Sequence, residues 1–280
     1  MDTDRRTLLR GIGHAAAFGS LAAALPEYAA AVEDKGDAGV CLSMFYPNSA
    51  NAAFDTDAWS TRHLPLLRGI CGDSVERIEL RMFIPLPPPP TAPRISPTPG
   101  MARSVPPRPQ PAPLPLLRAA VNVWIYDVKS FAERTNKAAT DIAADISTIT
   151  TLKPTVQYDR VAALLGDARA SIAVGTQVAS NYYVRRDGGR FDAAYYAEHI
   201  IPQMVKLYGE KAISRIEFCT GVRGEQGGAP SLAGIAHYYV RDLAAWSAVP
   251  PMALGPLLAE VPKFTDAKPV VSTMKVAAAG

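Results

Sequence analysis

The sequence is poor in the groups that hold metals, nucleotides or covalent intermediates. Cysteine occurs three times, at Cys41, Cys71 and Cys219, with no Cys-x-x-Cys pair. The odd count excludes a fully paired disulfide framework even in an oxidising compartment, and buried free thiols are the reading. Beyond the N-terminal leader there are three histidines, His63, His199 and His237, on different elements and without metal-ligand spacing. No Gly-x-Ser-x-Gly elbow and no phosphate loop is present. The Gly-rich "RRDGGRFD" at Arg185–Asp192 reads as a strand-to-helix turn, a weak anion site. A surplus of one charge is also missing from the body. The net charge is +3, and residues 85–115 supply it through Arg94, Arg103 and Arg108 without an acid. The first 31 residues balance, Arg5, Arg6 and Arg10 against Asp2, Asp4 and Glu27, so the rest is formally neutral. A neutral body argues against nucleic acid as a partner. The longest N-terminal apolar run, Gly11–Leu25, is too short and too rich in Ala and Gly for a stable membrane span.

What is present divides the chain. "DRRTLLRGIG" sets two arginines ahead of that apolar run, and "AAA" at Ala29–Ala31 follows as a small-residue cleavage site. The pattern resembles a twin-arginine export signal over residues 1–31, which predicts a periplasmic or secreted protein with no membrane span after removal of the signal. Residues 85–115 hold 14 of the 25 prolines. Such a segment supplies neither ladder bonds nor a helix and reads as an extended surface insert.

With the insert set aside, the chain repeats itself. "FDTDAWSTRHLPLLRG" at Phe54–Gly69 matches "FDAAYYAEHIIPQMVKLYG" at Phe191–Gly209, an offset of 137. "KPTV" at Lys153–Val156 matches "KPVV" at Lys268–Val271, an offset of 115 that also relates Asn122 to His237 and Asp127 to Asp242. The insert explains the difference. Each copy, 39–162 and 170–280, reads strand, helix, strand, strand, helix, strand. Strands are predicted near 40–46, 74–84, 117–126 and 154–161, then near 171–183, 211–222, 232–240 and 269–277. Helices are predicted near 56–69, 128–149, 193–207 and 242–260. That order is the ferredoxin-like βαββαβ unit, an α+β fold. Its sheet has one uncovered face, and a second copy packed sheet to sheet supplies the cover, giving a pseudo-dimeric α/β barrel. A monomer with this internal pairing is expected, or a homodimer.

Asp55 and Asp192 stand where a helix cap is needed, and Phe54–Trp59 and Phe191–Tyr196 have hydrophobic-staple spacing. His63 follows Trp59 by four residues and shares its helix face; it reads either as a half-buried structural histidine or as a functional one beside a cavity. In the second copy the equivalent position is Ile200, and His199 is rotated from it by about 100°. Strand alternation turns Asn122, Trp124 and the run Arg77, Glu79, Arg81 toward the other copy, with His237, Tyr239, Arg215 and Glu217 as counterparts. These groups either line a ligand cavity or fill the barrel as satisfied ion pairs.

The two Phe-Asp motifs, and above all "LLAEVPKFTDAKPVVSTMKV" at Leu257–Val276, resemble the EthD family of the dimeric α/β-barrel superfamily. The resemblance covers both copies but not the insert. The first copy departs from it at "TLKPTVQYDRV", which lacks the "VPKFTD" lead-in. Members are linked to ether and aromatic breakdown, lactone isomerisation and polyketide tailoring. Relatives of the wider fold act as cofactor-free monooxygenases or bind haem, and the Gly-x-x-Asp-Gly signature of dye-decolourising peroxidases is missing here. The expectation is an exported enzyme without cofactor or metal, acting on a small apolar, aromatic or lactone-type molecule by isomerisation, dehydration or oxidation. His237 would be the proton-transfer group, with His63 second and His199 third. Tyr239, Arg215, Glu217, Trp59, Tyr196, Asn122 and Trp124 would bind substrate. The competing expectations are a non-catalytic binding protein for a small hydrophobic ligand and a structural module docking through the Pro-rich loop.

Overall fold

The computed structural model describes residues 39–49, 53–84, 117–166 and 172–280. The expected leader at 1–31 and the Pro-rich insert at 85–115 lie outside the described residues. Strands β1 (Val40–Pro47), β2 (Val75–Phe83), β3 (Leu117–Ile125) and β4 (Thr155–Leu165) form the first half. Strands β5 (Gln177–Val184), β6 (Ile213–Gly224), β7 (Leu232–Val240) and β8 (Val270–Ala279) form the second. Within the halves the spatial orders are β4-β1-β3-β2 and β8-β5-β7-β6. Two further antiparallel seams, β2 with β8 (Phe83 opposite Met274) and β4 with β6 (Val161 opposite Cys219), close an eight-stranded barrel. Two ferredoxin-like halves thus form one pseudo-dimeric α/β barrel, with no strand edge left open.

Each half starts its first helix in the same way. Asp55 Oδ1 accepts the Ala58 N–H at 2.9 Å, and Asp192 Oδ1 accepts the Tyr195 N–H at 2.9 Å. Caps of this kind contribute about 1 kcal/mol each. The preceding phenylalanines bridge to the segments that lead into the last strand of their half, Phe54 to Thr150 and Phe191 to Thr265. Both helices then widen into a π turn, Trp59–His63 and Tyr196–Ile200, before resuming at Leu64–Cys71 and Ile201–Ala212. The cause is Pro65 and Pro202. Neither can donate to the carbonyl four residues back, and each ring crowds that carbonyl. Leu64 N therefore donates to Trp59 O, and Ile201 N to Tyr196 O, five residues back.

The expected helix over 128–149 is two helices, Val128–Lys137 and Ala139–Ile149, broken at Ala138. The one expected over 242–260 is three short pieces ending at Phe264, because Pro250 and Pro251 interrupt the donor row. β5 begins at Gln177, later than expected, behind a turn in which Gly175 has φ 98°.

Helices cover the outer face of each sheet. Ile78, Leu80, Val121 and Val123 pack under Trp59, Leu67, Phe131 and Ile142. Ile216, Phe218 and Tyr238 pack under Tyr196, Met204 and Phe264. The Phe191 ring packs closely on β7 because residue 234 is glycine; a Cβ there would sit 2.3 Å from its ring. Among the described residues no helix is long and apolar enough to cross a membrane.

Candidate ligand site

The polar strand faces do turn into the barrel, where the side chains bond to one another. Arg77 Nη2 donates to Glu217 Oε1 at 2.5 Å, and its Nε lies 2.6 Å from Glu79 Oε1. Arg81 donates twice to Glu79 Oε2, at 2.9 and 2.7 Å, and once to Tyr239 Oη at 2.5 Å. Tyr239 Oη in turn donates to Glu217 Oε2 at 3.0 Å, and Arg215 Nη1 reaches Glu217 Oε1 at 3.2 Å. The Arg77 guanidinium stacks 3.6 Å above Trp124. Every one of these side chains is buried. Burial by itself lowers the pKa of Arg77 and Arg81, but the surrounding carboxylates and Tyr239 outweigh it and hold both arginines charged. The groups expected to bind substrate here, Tyr239, Arg215, Glu217 and Trp124, are engaged with one another and with Arg77, Arg81 and Glu79. Asn122 donates to Ser43 Oγ at 3.1 Å in the same interior.

The three histidines sit in three unlike places. His237 is inside the barrel, 1% exposed, with Nδ1 2.8 Å from Ser180 Oγ and its ring edge-on to Tyr182. Burial, reinforced by the charges of Arg81 and Arg77, holds its pKa well below the ordinary histidine value, so it stays neutral. His63 lies behind the first sheet with Nδ1 2.8 Å from Asp145 Oδ2, a carboxylate that Arg62 also holds at 2.5 Å. Burial lowers its pKa against the pull of Asp145. The Asp145 carboxylate comes from the 139–149 helix, which the sequence does not place beside His63. His199 is exposed, its ring 4.5 Å from that of Tyr195. The two π turns keep the halves in step, so Ile200, and not His199, takes the buried place of His63. Trp59 and Tyr196, expected to contact substrate, are core residues behind the sheets; Tyr196 stacks on Phe218 and its hydroxyl meets that of Tyr238 at 2.6 Å.

A cavity lies elsewhere, at the end of the second half where β5, β6 and β7 meet. It has a volume of about 350 Å³ and is lined by Val184, Phe191, Ala193, Gly221, Ala233 and Ala267. Arg185, Arg186, Arg190, Thr220, Thr265 and Asp266 add polar groups. Two stretches singled out in the sequence meet here: the turn Arg185–Asp192 on one wall, and the "FTDA" of Phe264–Ala267 on the other. Asp192 N donates to Phe264 O at 2.7 Å, joining them. Arg190 is the strut between the walls, with Nη1 donating to Lys263 O at 2.6 Å, Nη2 to Pro262 O, and its backbone N to Asp266 Oδ2 at 3.4 Å. The turn closes through Gly189 N to Arg186 O at 2.9 Å, with Gly188 at φ 68°, a backbone region that favours glycine. Arg190 and Asp266 are 76 residues apart, and no local sequence pattern joins the two walls.

The cysteines are buried and free. Burial pushes the Cys71 thiol up to about 11 and Cys41 up to about 12, so neither is a ready nucleophile. Among the described residues no group of three or more His, Cys, Asp or Glu is placed around a metal position. A haem needs an axial His, Cys, Met or Tyr. No residue lining this cavity is one of these, so the cavity itself does not fit that group.

No protein-family model matches the sequence, and no curated protein matches it. Solved structures do. An anthrone oxidase-like protein superposes with a TM-score of 0.52 at 14% identity, covering 88% of this chain and 94% of that one. An EthD-like protein from Ralstonia eutropha JMP134 aligns at 22% identity over 36% of this chain and 91% of its own, with a TM-score of 0.33. At these identities the likeness is one of fold.

Proposed function

We propose that the chain is an exported, EthD-like enzyme that takes a small, partly apolar molecule into the cavity between the Arg185–Asp192 turn and Phe264–Ala267. The carrying observation is the cavity itself: about 350 Å³, a size suited to a small organic molecule, with an apolar floor at Phe191 and polar groups on its walls. Asp266 is the one carboxylate in the lining and is the group for proton transfer. The barrel interior serves stability, and His237 is part of it.

A second reading, a binding protein without turnover, is favoured by one observation: the lining contains no histidine, cysteine or tyrosine. Native mass spectrometry of protein isolated from the exported fraction tests the site. A bound small molecule is expected in the wild type and none in Ala193→Trp, which fills the cavity. Equal loading of both proteins, or none in either, overturns the assignment. Asp266→Asn then separates the two readings: an enzyme loses turnover of that molecule while keeping its affinity, and a binding protein shows no turnover in either form.

A further inference from the structure

The last helical stretch of each half covers the same part of its sheet, and the two differ on the side that faces away from it. An offset of 115 relates them, Asp127 to Asp242 and Thr150 to Thr265. Both begin at a capping aspartate: Asp127 Oδ1 accepts the Ser130 N–H at 3.0 Å, and Asp242 Oδ1 accepts the Ala245 N–H at 3.1 Å. Both end at a buried apolar residue, Ile149 and Phe264. The exposed side in the first half is charged, with Lys129, Glu133, Lys137 and Asp141. At the matched positions of the second half, also exposed, stand Ala244, Ala248, Met252 and Pro256, and Leu258 takes the place of Ala143. Met252 is 84% exposed and Leu258 61%.

The helix Gly255–Phe264 is thus apolar on both sides. Leu257, Val261 and Phe264 face the core of the second half. Leu258 and Pro262, with Met252 just ahead of the helix, continue at helical spacing on the outer side. Within 243–263 the only charged residues are Glu260 and Lys263. They are tied to each other, Lys263 Nζ donating to Glu260 Oε1 at 2.7 Å, and Tyr195 Oη donates to Glu260 Oε2 at 2.5 Å. A helix that is apolar all round belongs in a buried place. This one has 10 residues, too few to cross a membrane. Its outer side needs cover from another molecule.

We infer that this outer side, from Leu243 to Pro262, is the interface of a homodimer in which two copies of the chain meet about a two-fold axis. Such an axis sets one patch against itself. A patch without an unpaired charge is complementary to its own copy, and it offers an acidic or a basic partner no attraction. A membrane surface fits less well, because an interfacial helix carries Lys or Arg beside its apolar side, and here the lysine is held by Glu260. Of the residues 243–263, 13 are exposed. A standard interface takes about 20–30 residues from each partner, so this one is small, and its dimer dissociates at micromolar concentrations. The inference stands apart from the cavity assignment.

The test uses the mature chain. Sedimentation equilibrium across the micromolar range is expected to show monomer and dimer in exchange. The dissociation constant is expected not to rise with salt, because no ion pair crosses the interface. In Met252→Glu/Leu258→Glu like charges meet across the axis, and the constant is expected to rise roughly a hundredfold. The monomer's melting temperature is expected to stay unchanged, since both side chains are exposed. Leu258→Lys alone is expected to shift the constant in the same direction. Lys129→Glu/Lys137→Glu, on the matched surface of the first half, is expected to dimerise as the wild type does. A wild type that stays monomeric throughout overturns the inference. So does a dimer that survives Met252→Glu/Leu258→Glu, or one that salt dissolves. A monomer that binds phosphatidylcholine–phosphatidylglycerol vesicles, and loses them in the double variant, assigns this side to a membrane and overturns it too.

Discussion

Arg77 and Glu217 meet inside the barrel at 2.5 Å, although they stand on β2 and β6, strands of opposite halves that are not neighbours in the sheet. The contact ties the halves across the interior, where water does not screen it. It explains why so many charged side chains sit in a core: each sheet offers its polar face to the other, and the charges are arranged to answer one another. Breaking one side of such a pair strands the other charge, at a cost of about 3–5 kcal/mol.

Glu217→Ala is therefore expected to lower stability by about that amount, leaving Arg77 and Arg215 facing each other. The joint replacement Arg77→Met/Glu217→Leu is expected to lose less than Glu217→Ala, since it removes both charges. Urea unfolding of the three proteins checks this, and a double variant as unstable as Glu217→Ala would refute the pairing argument.

Asp159 predicts a pH dependence with a definite sign. It is fully buried, Gln157 Nε2 donates to its Oδ1 at 2.5 Å, and burial pushes its pKa up to about 7. Its folded pKa is thus above the unfolded value of about 3.9, so the folded state binds the extra proton between those limits. Stability from this group is full below about pH 4, falls as pH rises toward 7, and is level above that. Asp159→Asn removes the titration. The melting temperature of the variant minus that of the wild type is expected to grow between pH 5 and pH 8; a constant difference would show that Asp159 is ionised in the fold throughout.

Much of this was legible in the sequence, and the limits have physical causes. Alternation in "RIELRM" placed Arg77, Glu79 and Arg81 on the inner face, and they are there. Alternation reports a face and not a partner, so it could not say that those side chains would bond to one another. The caps at Asp55 and Asp192 were local and legible. The π turns were not, although Pro65 and Pro202 were in view, because a missing donor tells where a helix is disturbed but not whether it breaks or widens. The cavity was hidden for a third reason: its walls come from β5, β6, β7 and the approach to β8, and only the closed fold brings Arg186 to Asp266.

The insert offers a stability prediction from its anchor points alone. β2 and β3 are antiparallel neighbours with Met82 opposite Ala119, so the chain leaves and returns at one place. A short linker spans that gap, and loop closure depends only weakly on length. Replacing residues 86–114 by a short Gly/Ser linker is expected to leave the melting temperature within a few degrees. Insoluble protein would contradict it.

Export is tested at Arg5 and Arg6. The twin-arginine reading holds that both guanidinium groups are needed for recognition, which is why lysine is no substitute. Arg5→Lys/Arg6→Lys is expected to keep the protein in the cytoplasm, measured by fractionation. Unchanged export would remove that assignment without touching the cavity.

His237 is the residue on which the sequence and the folded chain part most clearly. It has a partner in the other half: Asn122 stands opposite Ser43 on β1 and donates to it at 3.1 Å, and His237 stands opposite Ser180 on β5 and meets it at 2.8 Å. The two halves thus place the same kind of bond, a β-strand hydroxyl to a nitrogen donor or acceptor, at matched positions inside the barrel. A histidine that exchanges protons with a ligand needs access and a pKa near neutrality. His237 has neither, being 1% exposed and held neutral by burial and two arginines. His237→Asn copies the arrangement of the first half and keeps a group able to bond Ser180. It is expected to keep wild-type affinity for the natural ligand and wild-type turnover of it, and to unfold within about 2 kcal/mol of the wild type, the loss coming from the smaller side chain in a packed core. Asp266→Asn is expected to do the reverse, sparing stability and abolishing turnover of the natural ligand. If His237→Asn instead abolishes turnover while the fold and the affinity persist, the barrel interior is the working site and the cavity at Asp266 is not.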